Sequence, residues 1–238
     1  VATSSRLMTA CLGAWLSRKY GALLYLDIRD IFVETIEDVF PSRWLAPVRW
    51  FFGRLERWVL GSADAVNLVS KGFLPYFTAR NRRHEYRFFT NGVDDEFVRL
   101  ADGVEKRLPW AVEGDVTHVV YAGNIGDGQG LDKVLPELAG KLSGRARFTV
   151  IGDGGTRETL RRRCAQVGAS VAFLDPVPRK QLLDLYERAD ILFLHLNDYP
   201  AFERVLPSKL FEYAATGKPI LAGVGGYAKE FIERELEG

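Results

Sequence analysis

Five short apolar segments alternate with five helix-like segments in the second half of the chain, and this alternation constrains the fold more than any other feature. The predicted strands are residues 118–122, 146–151, 170–174, 190–195 and 219–222, and the predicted helices are residues 130–142, 156–168, 178–188, 208–216 and 226–235. Strands that alternate regularly with helices pair in parallel through right-handed crossovers. The pattern therefore predicts an α/β domain with a doubly wound parallel sheet, whose ligand site lies outside the carboxyl ends of the strands.

The first half predicts part of a similar domain. We expect helices over residues 3–20, 47–60 and 71–80 and strands over residues 22–28, 64–70 and 86–94, with Gly21 ending the first helix. The second helix is predicted to place Val48, Phe51, Phe52, Leu55 and Val59 on its apolar face. A polar segment containing Pro109 predicts a linker, so we place domains at residues 1–95 and 118–238 with a linker at 96–117.

Both ends of the chain fall next to predicted helices. The chain begins at Val1 without a methionine, inside the first predicted helix, and stops at Gly238 directly after the last one. We therefore expect a fragment of a longer protein, with an incomplete N-terminal domain and a C-terminal domain that is cut short.

Composition excludes several classes of protein. The 238 residues are 47% hydrophobic and 26% charged, which excludes disordered, collagenous and coiled-coil chains. A split near residue 115 leaves 16 basic and 15 acidic residues before it and 16 of each after it, so no nucleic-acid partner is expected. The two cysteines are far apart, which excludes a disulfide framework or zinc ribbon, and no apolar run reaches the ~18 residues of a spanning helix. We expect a cytoplasmic protein.

Two glycine-rich turns follow predicted strands. The segment AGNIGDGQG, residues 122–130, precedes a helix, and such turns either let backbone N–H groups approach a phosphate or simply make a tight connection. Leu131 stands where a dinucleotide fingerprint needs glycine, and the Lys-Ser/Thr pair of a P-loop is missing, so nicotinamide chemistry and ATP hydrolysis are not expected. The second turn, IGDGGTR at residues 151–157, brings Asp153 to the same edge.

The segment PSKLFEYAATGKPIL, residues 207–221, is the most informative about function. Ser208 begins a predicted helix, and Lys209 and Glu212 share one of its faces near the positive end of the helix dipole. A lysine there suits a pyrophosphate and a carboxylate suits the hydroxyls of a ribose, so the pattern favours a nucleotide. An ordinary exposed ion pair is the alternative.

These motifs, in this order and spacing, resemble those of a known family. YAGNIGDGQGLDKVL, VIGDGGTRETL, AFLDPVPRKQLLDLYERADI and LPSKLFEYAATGKPI are similar to the C-terminal donor domain of the retaining glycosyltransferases of family 4, which have the two-domain GT-B fold. SSRLMTACLGAWLSRKYG, LDIRDIF, NLVS and TNGVD are similar to the later part of the family's N-terminal domain. The most similar branch transfers N-acetylated deoxyhexosamines in surface polysaccharide assembly.

The resemblance implies a set of donor-binding residues. They are Gly123, Asn124, Ile125 and Gly126 around the donor phosphates, Ser208, Lys209 and Leu210 around the pyrophosphate, Glu212 at the ribose, and residues 175–178, with Val177, near the base. We add Asp153 to this set because it lies in the second glycine-rich turn, at the same edge of the sheet. The chain departs from the family at Arg204, where many members have glutamate, and at Gln129-Gly130, where many have Lys-Gly. We infer that Lys209, with Arg204, provides the positive charge that the missing lysine provides elsewhere.

The implied reaction moves a sugar from a nucleoside diphosphate, with UDP the first choice, to an acceptor hydroxyl with retention. No cofactor or metal is expected, because helix dipoles and cations neutralise the leaving diphosphate in this family. The family's catalytic histidine lies upstream of the chain, so we assign no catalytic residue; of His84, His118 and His195, only His195 is predicted at the carboxyl end of a strand.

Other assignments stay open at this stage. Asp27, Arg29 and Asp30 end a strand of the first domain, where acceptor-binding and structural roles are both compatible with the sequence. The helix at 47–60 is either an ordinary packed helix or a peripheral contact with an anionic membrane that carries a lipid-linked acceptor, helped by Trp44, Trp50, Trp58, Arg80, Arg82 and Arg83. The alternatives to a transferase are a sugar-nucleotide epimerase of GT-B architecture and an inactive donor-binding fragment.

Overall fold

The computed structural model describes residues 1–4, 6–31, 46–81, 84–101 and 116–236, which form two compact units. The first unit contains Val1–Asn91, Tyr199–Leu206 and Gly226–Glu237, and the second contains Gly92–Asp198 and Pro207–Gly225. Two late segments that the sequence assigns to the second domain therefore group with the first unit. Residues 102–115 of the predicted linker lie outside the described ranges, and the predicted domain limits stay a prediction.

Helices and strands alternate along the described chain. The strands are β1 (Ala2–Ser4), β2 (Tyr25–Ile28), β3 (Ala65–Leu68), β4 (Tyr86–Arg87), β5 (Thr117–Ala122), β6 (Ala146–Ile151), β7 (Val171–Leu174), β8 (Ile191–His195) and β9 (Ile220–Gly223). The α-helices are α1 (Leu7–Tyr20), α2 (Ala46–Ser62), α3 (Leu74–Arg80), α4 (Asp95–Ala101), α5 (Leu131–Lys141), α6 (Arg157–Gln166), α7 (Arg179–Glu187), α8 (Ser208–Ala215) and α9 (Gly226–Glu235). Short 3-10 helices cover Lys71–Phe73, Asp127–Gln129 and Pro200–Arg204.

The sheet of the first unit has the order β1-β2-β3-β4 with every pairing parallel. The predicted helix at 3–20 begins later, at Leu7, because residues 2–4 pair with β2 as a strand. Gly21 ends α1 as predicted, in the left-handed conformation with a φ of 61°. The expected strand at 86–94 is only two residues long.

The predicted apolar face of α2 is partly wrong. Val48 and Phe51 are exposed, whereas Glu56 is buried together with Val59 and Leu60. Glu56 tolerates burial because its Oε2 accepts a hydrogen bond from the Tyr76 hydroxyl at 2.9 Å and pairs with Arg80 Nε at 3.0 Å. Trp44, Arg82 and Arg83 of the membrane hypothesis lie outside the described residues. In the part of the chain that the structure covers, no helix is long and apolar enough to cross a membrane.

The sheet of the second unit has the order β7-β6-β5-β8-β9, again entirely parallel. All ten elements predicted for residues 118–235 are present within three residues of their predicted limits. The chain winds outwards from β5 through β6 to β7, then returns to place β8 on the other side of β5. The point where β5 and β8 diverge is the switch point at which doubly wound sheets bind ligands.

One helix of the second unit was not predicted. Residues 95–101, assigned to the linker, form α4, which buries Phe97. The Phe97 ring lies 6.2 Å from the Tyr186 ring, and Arg179 Nε on α7 pairs with Glu96 at 2.8 Å. The helix carries charged residues, so its composition resembles that of a polar linker and does not predict a helix.

Candidate functional site

The loop after β5 is a closed turn with most of its amides already bonded. The N–H of Gly123 donates to Ile151 O at 2.8 Å, and the N–H of Ile125 donates to Asp153 O at 2.8 Å. Gln129 Oε1 accepts from the Gly126 N–H at 3.2 Å and from Asn124 Nδ2 at 2.8 Å. The expected cradle of free N–H groups is therefore much reduced: of residues 123–126, only Asn124 has an N–H without a hydrogen bond to the described chain.

The second glycine turn supports the first by direct backbone contact. A Cβ on Gly152 would lie 1.9 Å from Gly123 O, and one on Gly154 would lie 2.4 Å from Ile125 O. Both glycines have positive φ angles, 139° and 155°. Asp153 between them is exposed, and its Oδ1 accepts the Gly154 N–H at 2.8 Å. The turn thus fixes the shape of the loop after β5.

Lys209, in the first turn of α8, lies directly over that loop. A Cβ on Gly123 would be 2.5 Å from Lys209 Cε and 2.8 Å from its Nζ, so a larger residue at position 123 would displace the end of this side chain. Burial lowers the pKa of Lys209, and the negative charge of Glu212 opposes that shift. Its Nζ makes no hydrogen bond or ion pair with the residues that the structure describes.

Two cavities meet at Lys209. The larger, about 290 Å³, is lined by Ala122, Gly123, Asn124, Ile151, Gly152, Asp153, Pro176, Val177, Leu182 and Lys209. The smaller, about 180 Å³, is lined by Tyr121, Asn124, Gln129, Leu194, His195, Leu196, Pro207, Ser208 and Lys209. Asn124 and Lys209 line both, and both open at the carboxyl edge of the sheet near the switch point. Pro176 and Val177, from the segment predicted to lie near the base, line the larger cavity.

Some predicted donor residues have their side chains elsewhere. Ile125 and Leu210 are fully buried, and the Leu210 N–H already donates to Pro207 O at 3.1 Å. Any contribution of these two residues to a phosphate site would therefore come from the backbone, and their assignment stays a prediction. Ser208 is exposed at the start of α8. Arg204 belongs to the first unit, where its backbone oxygen accepts from Ser70 Oγ at 2.6 Å.

The acceptor-side candidates of the first unit form a bonded network. Asp27 Oδ1 accepts from Asn67 Nδ2 at 2.8 Å, and Asp27 Oδ2 accepts from Arg29 Nε at 3.0 Å. Arg29 Nη1 in turn donates to Asn91 Oδ1 at 2.7 Å. Asp30 Oδ1 accepts the Ile31 N–H, and burial raises the Asp30 pKa. Buried Asp27 thus holds the half-exposed Arg29 guanidinium in place.

The three histidines occupy different environments. His84 Nε2 lies 2.7 Å from Leu60 O in the first unit. His118 is buried near the start of β5, where its Nε2 lies 2.8 Å from Thr149 Oγ1, and burial lowers its pKa. Only His195, at the end of β8, lines a cavity of the site.

Among the described residues no group of three or more histidine, cysteine, aspartate or glutamate side chains could hold a metal ion. The expectation that no metal is needed stays a prediction. The sequence analysis missed two residues that shape the site: Gln129, which closes the turn, and Tyr121, whose hydroxyl donates to Asn124 O at 2.6 Å. Gln129 stood out only as a departure from the family pattern.

The family is established by comparison with known proteins. The model of the family glycosyl transferases group 1 matches residues 116–238, and the chain belongs to this family. A search of curated proteins found no match.

Solved structures show the same fold. HepE from Anabaena in complex with UDP-glucose is 18% identical with a TM-score of 0.66, over 98% of this chain and 62% of that one. WaaG, a glycosyltransferase involved in lipopolysaccharide biosynthesis, is 16% identical with a TM-score of 0.63, over 92% and 65%. Trehalose-6-phosphate synthase, studied with bisubstrate glycomimetics for glycosyltransfer with retention, is 12% identical with a TM-score of 0.65, over 92% and 58%. The chain thus has the two-sheet α/β fold of GT-B glycosyltransferases and spans less than two thirds of these solved chains.

Proposed function

We propose that the second unit binds a nucleoside diphosphate sugar, with UDP as the nucleotide, and that the protein transfers the sugar to an acceptor hydroxyl with retention. The observation that carries this proposal is Lys209, a half-buried cation without a hydrogen-bond partner in the described chain, placed between two cavities. Burying a charge is unfavourable unless it is paired, so a bound anion would stabilise Lys209. With a diphosphate at Lys209, the attached nucleoside would enter the larger cavity and the attached sugar would enter the smaller one.

The proposed chemistry needs charge stabilisation at the diphosphate. The bond between the anomeric carbon and the diphosphate oxygen breaks, the acceptor oxygen bonds to the same face of that carbon, and the acceptor proton passes to the leaving diphosphate. Lys209 and the N-terminus of α8 would offset the negative charge on the leaving group. By resemblance to the family, we expect that this reaction needs no metal.

Glu212 completes the donor site in this proposal. It lies one helical turn from Lys209 on α8, close enough for its charge to influence the lysine pKa. Its carboxylate makes no hydrogen bond with the described chain, so its oxygens can accept hydrogen bonds from the hydroxyls of a ribose. Membership in the family and the UDP complexes of HepE support the choice of UDP.

The biological setting is proposed from the motifs. GNIG-x3-G-L and PSK-x2-EY suit the family 4 branch that transfers N-acetylated deoxyhexosamines to lipid-linked or saccharide acceptors in surface polysaccharide or glycolipid assembly. The proposed location is the cytoplasm, at the inner face of the membrane. In support, α2 exposes Trp50 at 63%, and the Arg54 guanidinium lies 5.3 Å from the centre of that ring.

Two matched lysine variants test the proposal. Lys209→Met should weaken UDP binding about tenfold or more, because a charge-assisted contact is lost, while leaving thermal stability unchanged or higher. Lys218→Met is the control: Lys218 is also half-buried, but its Nζ donates to Glu187 O and Ala189 O, both at 2.7 Å. That variant should lose about 1 kcal/mol of stability and keep UDP affinity. Equal UDP affinity in wild type and Lys209→Met would contradict the proposal.

A further inference from the structure

The smaller cavity contains a histidine with one ring nitrogen bonded and the other unpaired. His195 Nδ1 lies 2.6 Å from Gln129 O, in the turn after β5. A carbonyl oxygen only accepts hydrogen bonds, so Nδ1 carries the proton. The neutral ring then has its lone pair on Nε2, which makes no hydrogen bond with the described residues.

A glycine keeps the Nε2 edge of this ring uncovered. His195 pairs with Gly223 across β8 and β9, and a Cβ on Gly223 would lie 2.4 Å from His195 Cδ2 and 3.2 Å from Nε2. Any larger residue at position 223 would therefore displace the ring or cover it. His195 thus lines the cavity together with Lys209, and a glycine rather than a larger residue lies beside its Nε2 edge.

The tautomer fixed by Gln129 O determines which ligand group the neutral His195 ring can bind. Diphosphate oxygens accept hydrogen bonds, so they do not pair with an unprotonated Nε2. Sugar hydroxyls donate, and a hydroxyl meets this nitrogen well. Because the smaller cavity shares Lys209 with the nucleoside-side cavity, a sugar attached to a diphosphate at Lys209 could enter this cavity.

We propose that His195 Nε2 accepts a hydrogen bond from a hydroxyl of the donor sugar and so positions the sugar ring beside Lys209. This inference rests on the proposed donor-binding function and adds a residue to it. His195 is a positioning residue for the sugar, so its contribution is absent for UDP and present for a UDP-sugar. The bond to Gln129 O fixes the ring, and Gly223 leaves its free edge accessible.

The test compares UDP with UDP-sugars by calorimetric titration of the 238-residue chain. UDP, UDP-glucose and UDP-N-acetylglucosamine are titrated into wild type and His195→Asn. The asparagine amide occupies the position of Nδ1 and can still donate to Gln129 O, but it has no atom at the position of Nε2. We expect UDP affinity to stay within about twofold and the affinity for the better UDP-sugar to fall about fivefold, the usual effect of one lost neutral hydrogen bond.

Two further variants separate positioning from folding. Gly223→Ala should reduce the UDP-sugar affinity in the same way, because it crowds the same ring edge without changing the imidazole. His118→Asn, which alters a buried histidine at the opposite end of the same sheet, should leave the ratio of the two affinities unchanged.

Each other outcome overturns the inference. Equal losses of UDP and UDP-sugar affinity in His195→Asn would mean that the ring only supports the loop. A His195→Asn variant indistinguishable from wild type for every ligand would exclude a sugar contact while leaving the donor-site proposal intact. Absence of UDP binding in wild type would instead contradict the proposed function, and the inference with it.

Discussion

Lys209 is the residue whose environment says most about the site. Its ammonium group is partly desolvated beside Gly123, and the opposing charge of Glu212 offsets this only in part, so its pKa is lowered. Side chains with perturbed pKa values cluster at functional sites, where a ligand can stabilise the charged form. Lysine and glutamate on one helical face could be predicted from the sequence. The bonded amides of the neighbouring turn could not, because they depend on Gln129 and on a second loop distant in sequence.

The lowered pKa of Lys209 predicts how UDP binding varies with pH. Below the lowered value the lysine is charged and binding is constant. As the pH rises through that value the proton is lost, so UDP affinity should fall at a pH below the ordinary 10.5 of lysine. Between the lowered value and 10.5 the unfolded state holds more protons, so the same group makes the unliganded chain more stable as the pH rises.

Calorimetric titrations from pH 7 upward, with Lys209→Met as a reference for the titration of UDP itself, check this prediction. The wild-type affinity should converge on that of the variant at high pH. Parallel curves for the two proteins at every pH would show that Lys209 does not contact the diphosphate.

At the scale of elements, the site depends on two loops that touch through their backbones. Gly152 lies against Gly123 O so closely that a methyl group has no space, and its φ of 139° suits only glycine. Gly152→Ala should therefore destabilise the chain by about 2 kcal/mol or more and abolish UDP binding. Gly155→Ala is the matched control, since an added Cβ there has no atom within 4 Å.

Thermal unfolding and UDP titration of the two variants measure the effect. Gly155→Ala should unfold within about 0.5 kcal/mol of wild type and bind UDP normally. If Gly152→Ala were equally stable, the close packing of the two loops would be wrong.

The sequence predicted elements well where short apolar segments alternate with helices, and poorly where contacts distant in sequence decide. β5 is buried over five of its six residues and follows directly from its apolar composition. β1 is three residues long and becomes a strand only through its pairing with β2. The buried face of α2 depends on Glu56 finding Tyr76 and Arg80, residues that no helical pattern on α2 indicates.

For the whole molecule, the decisive property is a parallel sheet with two cavities at its switch point, where Lys209 makes no hydrogen bond or ion pair with the residues that the structure describes. The doubly wound topology followed from the alternation of elements, and with it the edge at which the site lies. The sequence did not predict the two cavities that share Lys209, or the position of His195. Both depend on which side chains meet across β5, β8 and α8. The chain with this architecture belongs to the family glycosyl transferases group 1.

The most direct test of this account is a calorimetric titration of the chain with UDP, repeated with excess EDTA and with GDP and ADP as controls. We predict saturable UDP binding of unchanged affinity in EDTA, because Lys209 rather than a metal ion is proposed to offset the diphosphate charge. GDP and ADP should bind more weakly, because UDP is the proposed nucleotide. No binding of UDP, or binding that EDTA abolishes, would contradict a metal-independent donor site centred on Lys209.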